Sequence, residues 1–151
     1  MKQIVLQSNK ENIARAEELI YDICDEYNVH NYIGVIEVAV MQAVTNAIEH
    51  GNEFQDTKNV VLSWGSCKGG MFFEIEDQGL GFDFDQYGDL PLGEGRGEGI
   101  FMMRTLADQV VYSKDGSKVR LEFSIEGIDK KDQKSRKDVL VNFFQTSLVD
   151  A

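Results

Sequence analysis

VMQAVTNAIEHGN, Val40 to Asn52, combines two features that pull against each other. Extended back to Ile33, the segment places Ile33, Val35, Ile36, Val38, Ala39, Val40, Met41, Ala43, Val44, Ala47 and Ile48 almost all round a helical wheel, so this helix is expected to be sandwiched inside the protein. Gln42, Thr45, Asn46 and Glu49 nevertheless recur at i, i+3, i+4 and i+7, which gathers them on a single polar stripe. Buried polar groups require partners, so the stripe lines a wet cavity, contacts a ligand, or belongs to a structural network under a loop. Glu37 lies about 140° away round the wheel and cannot join it. The helix is expected to run from about Tyr32 to His50, with Gly51 as a left-handed C-terminal cap.

Working outward, KQIVLQ (Lys2 to Gln7) alternates as a half-buried strand, and Ser8 with Glu11 spells a capping box. The helix it opens reaches about Tyr27, with Ile13, Ala16, Leu19, Ile20, Ile23 and Cys24 on one face. Downstream, strands at about Asn59 to Cys67 and Met71 to Asp77 are joined by KGG as a hairpin. Phe82 to Glu98, rich in Gly and Asp and holding Pro91, has no sustained period and reads as a long lid-like loop. A short helix from Ile100 to about Asp108 follows, then strands Val110 to Ser113 and Lys118 to Ile125 around KDGSK. The order β-α-α-β-β-loop-α-β-β predicts an α+β two-layer sandwich, with a mixed, mostly antiparallel sheet and its helices on one face. Residues 1–126 form the domain, and 127–151 a charged C-terminal extension that reads as a solvated linker with a short docking segment or as a partner-binding tail.

With 26 acidic against 15 basic residues the net charge is -11, which disfavours direct nucleic-acid or anionic-membrane binding and suits a basic protein or a magnesium-chelated ligand. No apolar run is long enough for a signal peptide or a membrane span, and Cys24 and Cys67 have no metal-ligand spacing. The expectation is a soluble, reduced, cytoplasmic protein whose cysteines are small core hydrophobes.

Two further stretches carry chemistry. In EDQGLGFD, Glu76 to Asp83, a strand ends at Asp77, a hydrogen-bond acceptor, and Gly79 and Gly81 let something flat approach the backbone. In GEGRGEG, Gly93 to Gly99, alternate glycines run into a helix beside Arg96, an arrangement that suits an anion such as phosphate. Neither the dinucleotide fingerprint nor a Walker loop is present.

In this order, N-A-x-x-H-G on a helix, D-x-G-x-G-F after a strand and R-G-x-G before a helix resemble the nucleotide-binding boxes of the GHKL ATPases, the Bergerat-fold superfamily that includes gyrase and the histidine kinases. DGSKVRLEF, Asp115 to Phe123, is similar to that superfamily's G-Ser/Thr-x-Val/Ile strand, and GIFMMRTLADQVVYS resembles the stand-alone anti-sigma-factor serine/threonine kinases. The resemblance spans about Lys2 to Ile125. It implies ATP and Mg2+ as ligands, with Asn46 on the metal, Asp77 accepting the adenine amino group, Gly79 and Gly81 admitting the base, Ser117 helping to hold it, and Arg96, Gly97 and Gly99 on the phosphates. It also implies a sigma factor or a small antagonist as protein partner, a partner-switching role in transcription regulation, and a possible homodimer. One position departs: the resembling kinases carry a general-base glutamate where this chain has Gln42. A neutral amide cannot accept the proton, and such a base contributes about 10²- to 10⁴-fold. A serine/threonine kinase and a nucleotide-binding module that lacks efficient catalysis therefore both stay open, with Glu49 a remote substitute for the base. So does a detached histidine-kinase catalytic domain, although His30 and His50 make a poor phospho-acceptor hairpin.

Overall fold

The computed structural model describes residues 1–86, 96–125, 136–142 and 144. Strand β1 (Lys2–Gln7) leads into helix α1 (Lys10–Glu26), and a single 3-10 turn (His30–Tyr32) into α2 (Ile33–Asn46). Strands β2 (Asn59–Cys67) and β3 (Gly70–Glu76), helix α3 (Arg96–Leu106), and strands β4 (Gln109–Ser113) and β5 (Lys118–Ser124) complete the order. The sheet runs β1-β2-β3-β5-β4 with every neighbouring pair antiparallel. The result is the expected α+β sandwich. Period-two alternation sends Leu62, Phe73, Ile75, Leu121 and Phe123 into the core, where Ile20, Ile36, Val40 and Ile100 from the helices meet them. Among the described residues no helix is long and apolar enough to cross a membrane.

Three local expectations are corrected. Ser8 does not cap α1; Asn9 does, its side chain accepting the Asn12 N–H at 3.0 Å. Ser8 is buried, donating its hydroxyl to the Lys58 carbonyl and accepting from Asn52 Nδ2. Gly51 is not a left-handed cap, because the helix widens into a π turn over Ala47–Gly51, and the positive φ values fall later, at Glu53 and Phe54. A π turn inserts an extra residue per turn and is often found at functional sites. Helix α3 starts at Arg96, four residues before the expected Ile100. Tertiary contact overrides the poor helix propensity of Gly97 and Gly99: both are buried, Gly99 against Gln42 and Asn46 of α2. Residues 87–95 of the expected lid, Pro91 among them, lie outside the described residues.

The cysteines divide. Cys24 is fully buried, and burial, with a smaller contribution from Glu37, pushes its thiol up to about 11. Cys67 sits half-buried at the end of β2 rather than in the core, its thiol raised by burial and by Glu122. Part of the C-terminal extension packs on the domain. Arg136 donates to the Leu106 carbonyl at the end of α3 and pairs with Asp108, both at 2.8 Å, and Leu140 is buried. A cation there also complements the helix dipole.

On the outer face of the sheet, Arg120 stacks 3.9 Å from the Phe72 ring centre, and Arg120 and Lys118 both reach Glu74. Partial burial by itself would raise the Glu74 carboxyl, but the hydrogen bonds from Arg120 and Lys118 outweigh it and hold the group below its ordinary value. A carboxyl depressed in the folded state stabilises above its unfolded pKa of about 4.3, and that contribution is lost as pH falls through the lower folded value. Thermal melts below pH of about 4.3 should therefore show wild type losing stability faster than Glu74→Gln; parallel curves would refute this.

Candidate functional site

Asp77 follows β3 directly, and its position is fixed from both sides. Its backbone N–H donates to the Ser117 carbonyl at 2.9 Å, and its Oδ1 accepts the Gly79 N–H at 2.8 Å. The turn is then pinned by the Phe82 N–H donating to the Asp115 carbonyl at 2.9 Å. Gly81, at φ +81°, lies so close to that carbonyl that a Cβ would be 2.1 Å from it. Gly51 is required for a different reason than capping: a Cβ there would meet the Asp77 carboxyl at 2.4 Å.

Asn52, fully buried, holds this arrangement to the rest of the fold. Its Nδ2 donates to Ser8 Oγ and to the Asn59 carbonyl, and its Oδ1 accepts the Gln78 N–H at 2.8 Å. One side chain thereby joins the end of α2, the end of β1, the start of β2 and the loop after β3.

Asp77, Asn46 and Ser117 line one partly open cavity with Ala43, Ile75 and Tyr112. Its free interior is narrow, about 20 Å³, roughly room for one water, so a ring-sized ligand has to widen it. Phe82 and Phe84 pack on Tyr112 at its lip, with ring centres 5.3 and 5.0 Å away. Apolar walls around a carboxylate suit a flat, nitrogen-rich ring with an amino donor. The Ser117 hydroxyl donates to the Lys114 carbonyl at 2.9 Å, so towards a ligand it acts as an acceptor.

A groove of about 260 Å³ shares Asn46 with this cavity and is lined by the whole stripe: Gln42, Thr45, Asn46 and Glu49. Glu98 and Gly99, in the first turn of α3, form the facing wall. A Cβ on Gly99 would lie 3.0 Å from Gln42 Oε1 and 3.2 Å from Asn46 Nδ2, so glycine lets the start of α3 close on the stripe. Glu37 points elsewhere, into a groove with Glu17, Glu18 and Asp22 of α1.

Among the described residues, Asn46 Nδ2 is buried with no hydrogen-bond partner. An orphaned amide costs about 1–3 kcal/mol, and a ligand reaching it removes that cost. Among the described residues no three His, Cys, Asp or Glu side chains converge on a metal. An amide oxygen such as that of Asn46, which lines the groove, is a donor of the kind magnesium takes, since that ion uses few protein oxygens and completes its shell with phosphate and water. The Arg96 side chain lies outside the described residues, although its backbone opens α3. Sequence reading missed Asn52, Tyr112 and Glu98. Tyr112 shares the inward face of a strand with Val110 and so had a usable signal, whereas the other two become legible only once the loops are placed.

The sequence profile of a family described as Histidine kinase-like ATPase domain matches residues 6–123. An anti-sigma F factor of Clostridium perfringens is 37% identical over 86 residues, covering 52% of this chain and 61% of the relative. The serine-protein kinase RsbW of Bacillus velezensis is 33% identical over 104 residues, covering 61% and 64%. The RsbW of Bacillus subtilis is 31% identical over a stretch of the same extent. The chain thus spans less than two thirds of the length of these relatives.

Proposed function

The chain belongs to the histidine kinase-like ATPase family, and from that premise we propose that it is an ATP-binding regulator of the anti-sigma-factor kinase type, acting by partner switching with a sigma factor or an antagonist protein. The observation that carries this reading is the placement of Asn46 between an apolar cavity ending in Asp77 and a polar groove walled by the start of α3. In it, adenine lies in the cavity with its amino group towards Asp77, and the phosphates extend past Asn46 to the N–H groups of Gly97 and Gly99, where Arg96 adds charge. Asn46 presents its amide oxygen to magnesium. Bound there, magnesium neutralises charge on the phosphate oxygens. Gly79 and Gly81 keep the loop low enough for the base to enter. The protein's net charge of -11 favours a basic partner surface.

A second reading, a module that binds nucleotide without efficient phosphotransfer, is favoured by Gln42, whose amide stands beside Asn46 where a proton acceptor is needed. Calorimetry tests the binding claim common to both. Wild type should bind Mg-ATP with micromolar affinity, and Asn46→Ala should weaken Mg-ATP by at least about tenfold, the equivalent of 1.4 kcal/mol, while affecting metal-free ATP less. Absence of binding by wild type, or an equal loss with and without magnesium, would refute the assignment.

A further inference from the structure

Gln42 leaves the groove without a base on α2, yet the facing helix supplies a carboxylate. Glu98 lies in the first turn of α3 and lines the same groove as Gln42, Thr45 and Asn46. The next residue, Gly99, is packed so closely on Gln42 Oε1 and Asn46 Nδ2 that the backbone bearing Glu98 is held against the stripe. Among the described residues Glu49 is the other carboxylate lining the groove, but it is exposed, and seven helical residues set it about 10 Å beyond Gln42 along the axis. A negative group at the start of a helix is also stabilised by the helix dipole, which offsets part of its repulsion from a nearby phosphate.

We propose that Glu98 is the proton acceptor for phosphoryl transfer at this site, the carboxylate having its place on α3 rather than α2. The inference rests on the ATP-binding reading and decides between its two forms in favour of catalysis. The acceptor is a serine or threonine hydroxyl of a protein partner, or water when no partner is present. Its O–H proton passes to the Glu98 carboxylate while the oxygen lone pair forms the bond to the γ-phosphorus. The bond from that phosphorus to the bridging oxygen breaks, its electron pair leaving on ADP. Glu98 then returns the proton to solvent. Gln42, donating from its amide, orients the acceptor oxygen.

Water serves as the probe. Single-turnover hydrolysis of Mg-ATP is measured alongside calorimetric ATP affinity for wild type, Glu98→Gln, Glu49→Gln and the double variant Glu98→Gln with Gln42→Glu. Glu98→Gln should slow hydrolysis by about 100-fold at an affinity within about twofold of wild type, and Glu49→Gln should change the rate less than about threefold. Returning a carboxylate from the opposite wall in the double variant should recover at least about tenfold, a rescue that a merely structural role for Glu98 would not produce. Unchanged turnover in Glu98→Gln, the loss appearing in Glu49→Gln instead, failure of the double variant to recover, or a wild type that binds Mg-ATP without turning it over would each overturn the proposal and leave nucleotide binding standing. A wild type that binds no ATP would overturn both.

Discussion

Asp77→Asn is expected to weaken ATP binding by at least about 100-fold while leaving the folded structure in place. The carboxylate offers only acceptors: Oδ1 takes the Gly79 N–H at 2.8 Å, and the proposed site directs the adenine amino group to the same carboxylate. An asparagine keeps the shape but converts one oxygen to a donor. If its oxygen stays on Gly79, the new NH2 faces the adenine amino group; if the amide turns over, the NH2 faces the Gly79 N–H. Either orientation sets two donors against each other in a partly enclosed pocket. An unmet group there costs about 1–3 kcal/mol and the lost charge-assisted bond about as much again, so 2.7 kcal/mol, or 100-fold, is a conservative sum. Competition should also change, with discrimination between ATP and GTP collapsing in the variant because the acceptor that selects an amino group is gone. Calorimetry with both nucleotides checks this, and an unaltered ATP affinity would remove Asp77 from the base-binding role.

Much of this site was legible because its chemistry repeats along the chain. The stripe Gln42, Thr45, Asn46 and Glu49 was visible as helical spacing, and the fold brings all four into one groove. The glycines were visible too, but their reasons were not. Gly51 read as a cap because it follows a helical pattern, whereas its lack of a side chain serves the Asp77 carboxyl 26 positions later in the chain. Gly97 and Gly99 read as loop because propensity disfavours them in a helix, yet both are buried in the first turn of α3, where Gly99 packs on α2. Local signals find residues whose neighbours in sequence are their neighbours in space. Ser8 shows the failure most plainly: Ser8 and Glu11 match a capping box, yet the hydroxyl turns inward to partners at 52 and 58, and Asn9 takes the cap.

Asn52→Ala should be the most destabilising polar substitution among the described residues, at about 4 kcal/mol. The side chain makes bonds in three directions: to Ser8 Oγ at 2.9 Å, the Asn59 carbonyl at 3.0 Å and the Gln78 N–H at 2.8 Å. Because the residue is fully buried, water cannot replace these partners without opening the junction. Each partner stranded by truncation costs about 1–3 kcal/mol, and partial relaxation of the exposed end of the junction keeps the total below the full sum. Asn9 provides the contrast, since it is also an asparagine with a side-chain bond to backbone, but it caps α1 at the surface, and Asn9→Ala should cost only about 1 kcal/mol. At about 2–4 °C per kcal/mol for a chain of this size, the melting temperature should fall by roughly 8–16 °C for Asn52→Ala and by a quarter of that for Asn9→Ala. The Gln78 N–H that loses its partner adjoins Asp77, so ATP affinity measured well below the melting temperature should drop as well. Urea unfolding that gives the two variants equal losses would show that the junction is held by backbone packing alone.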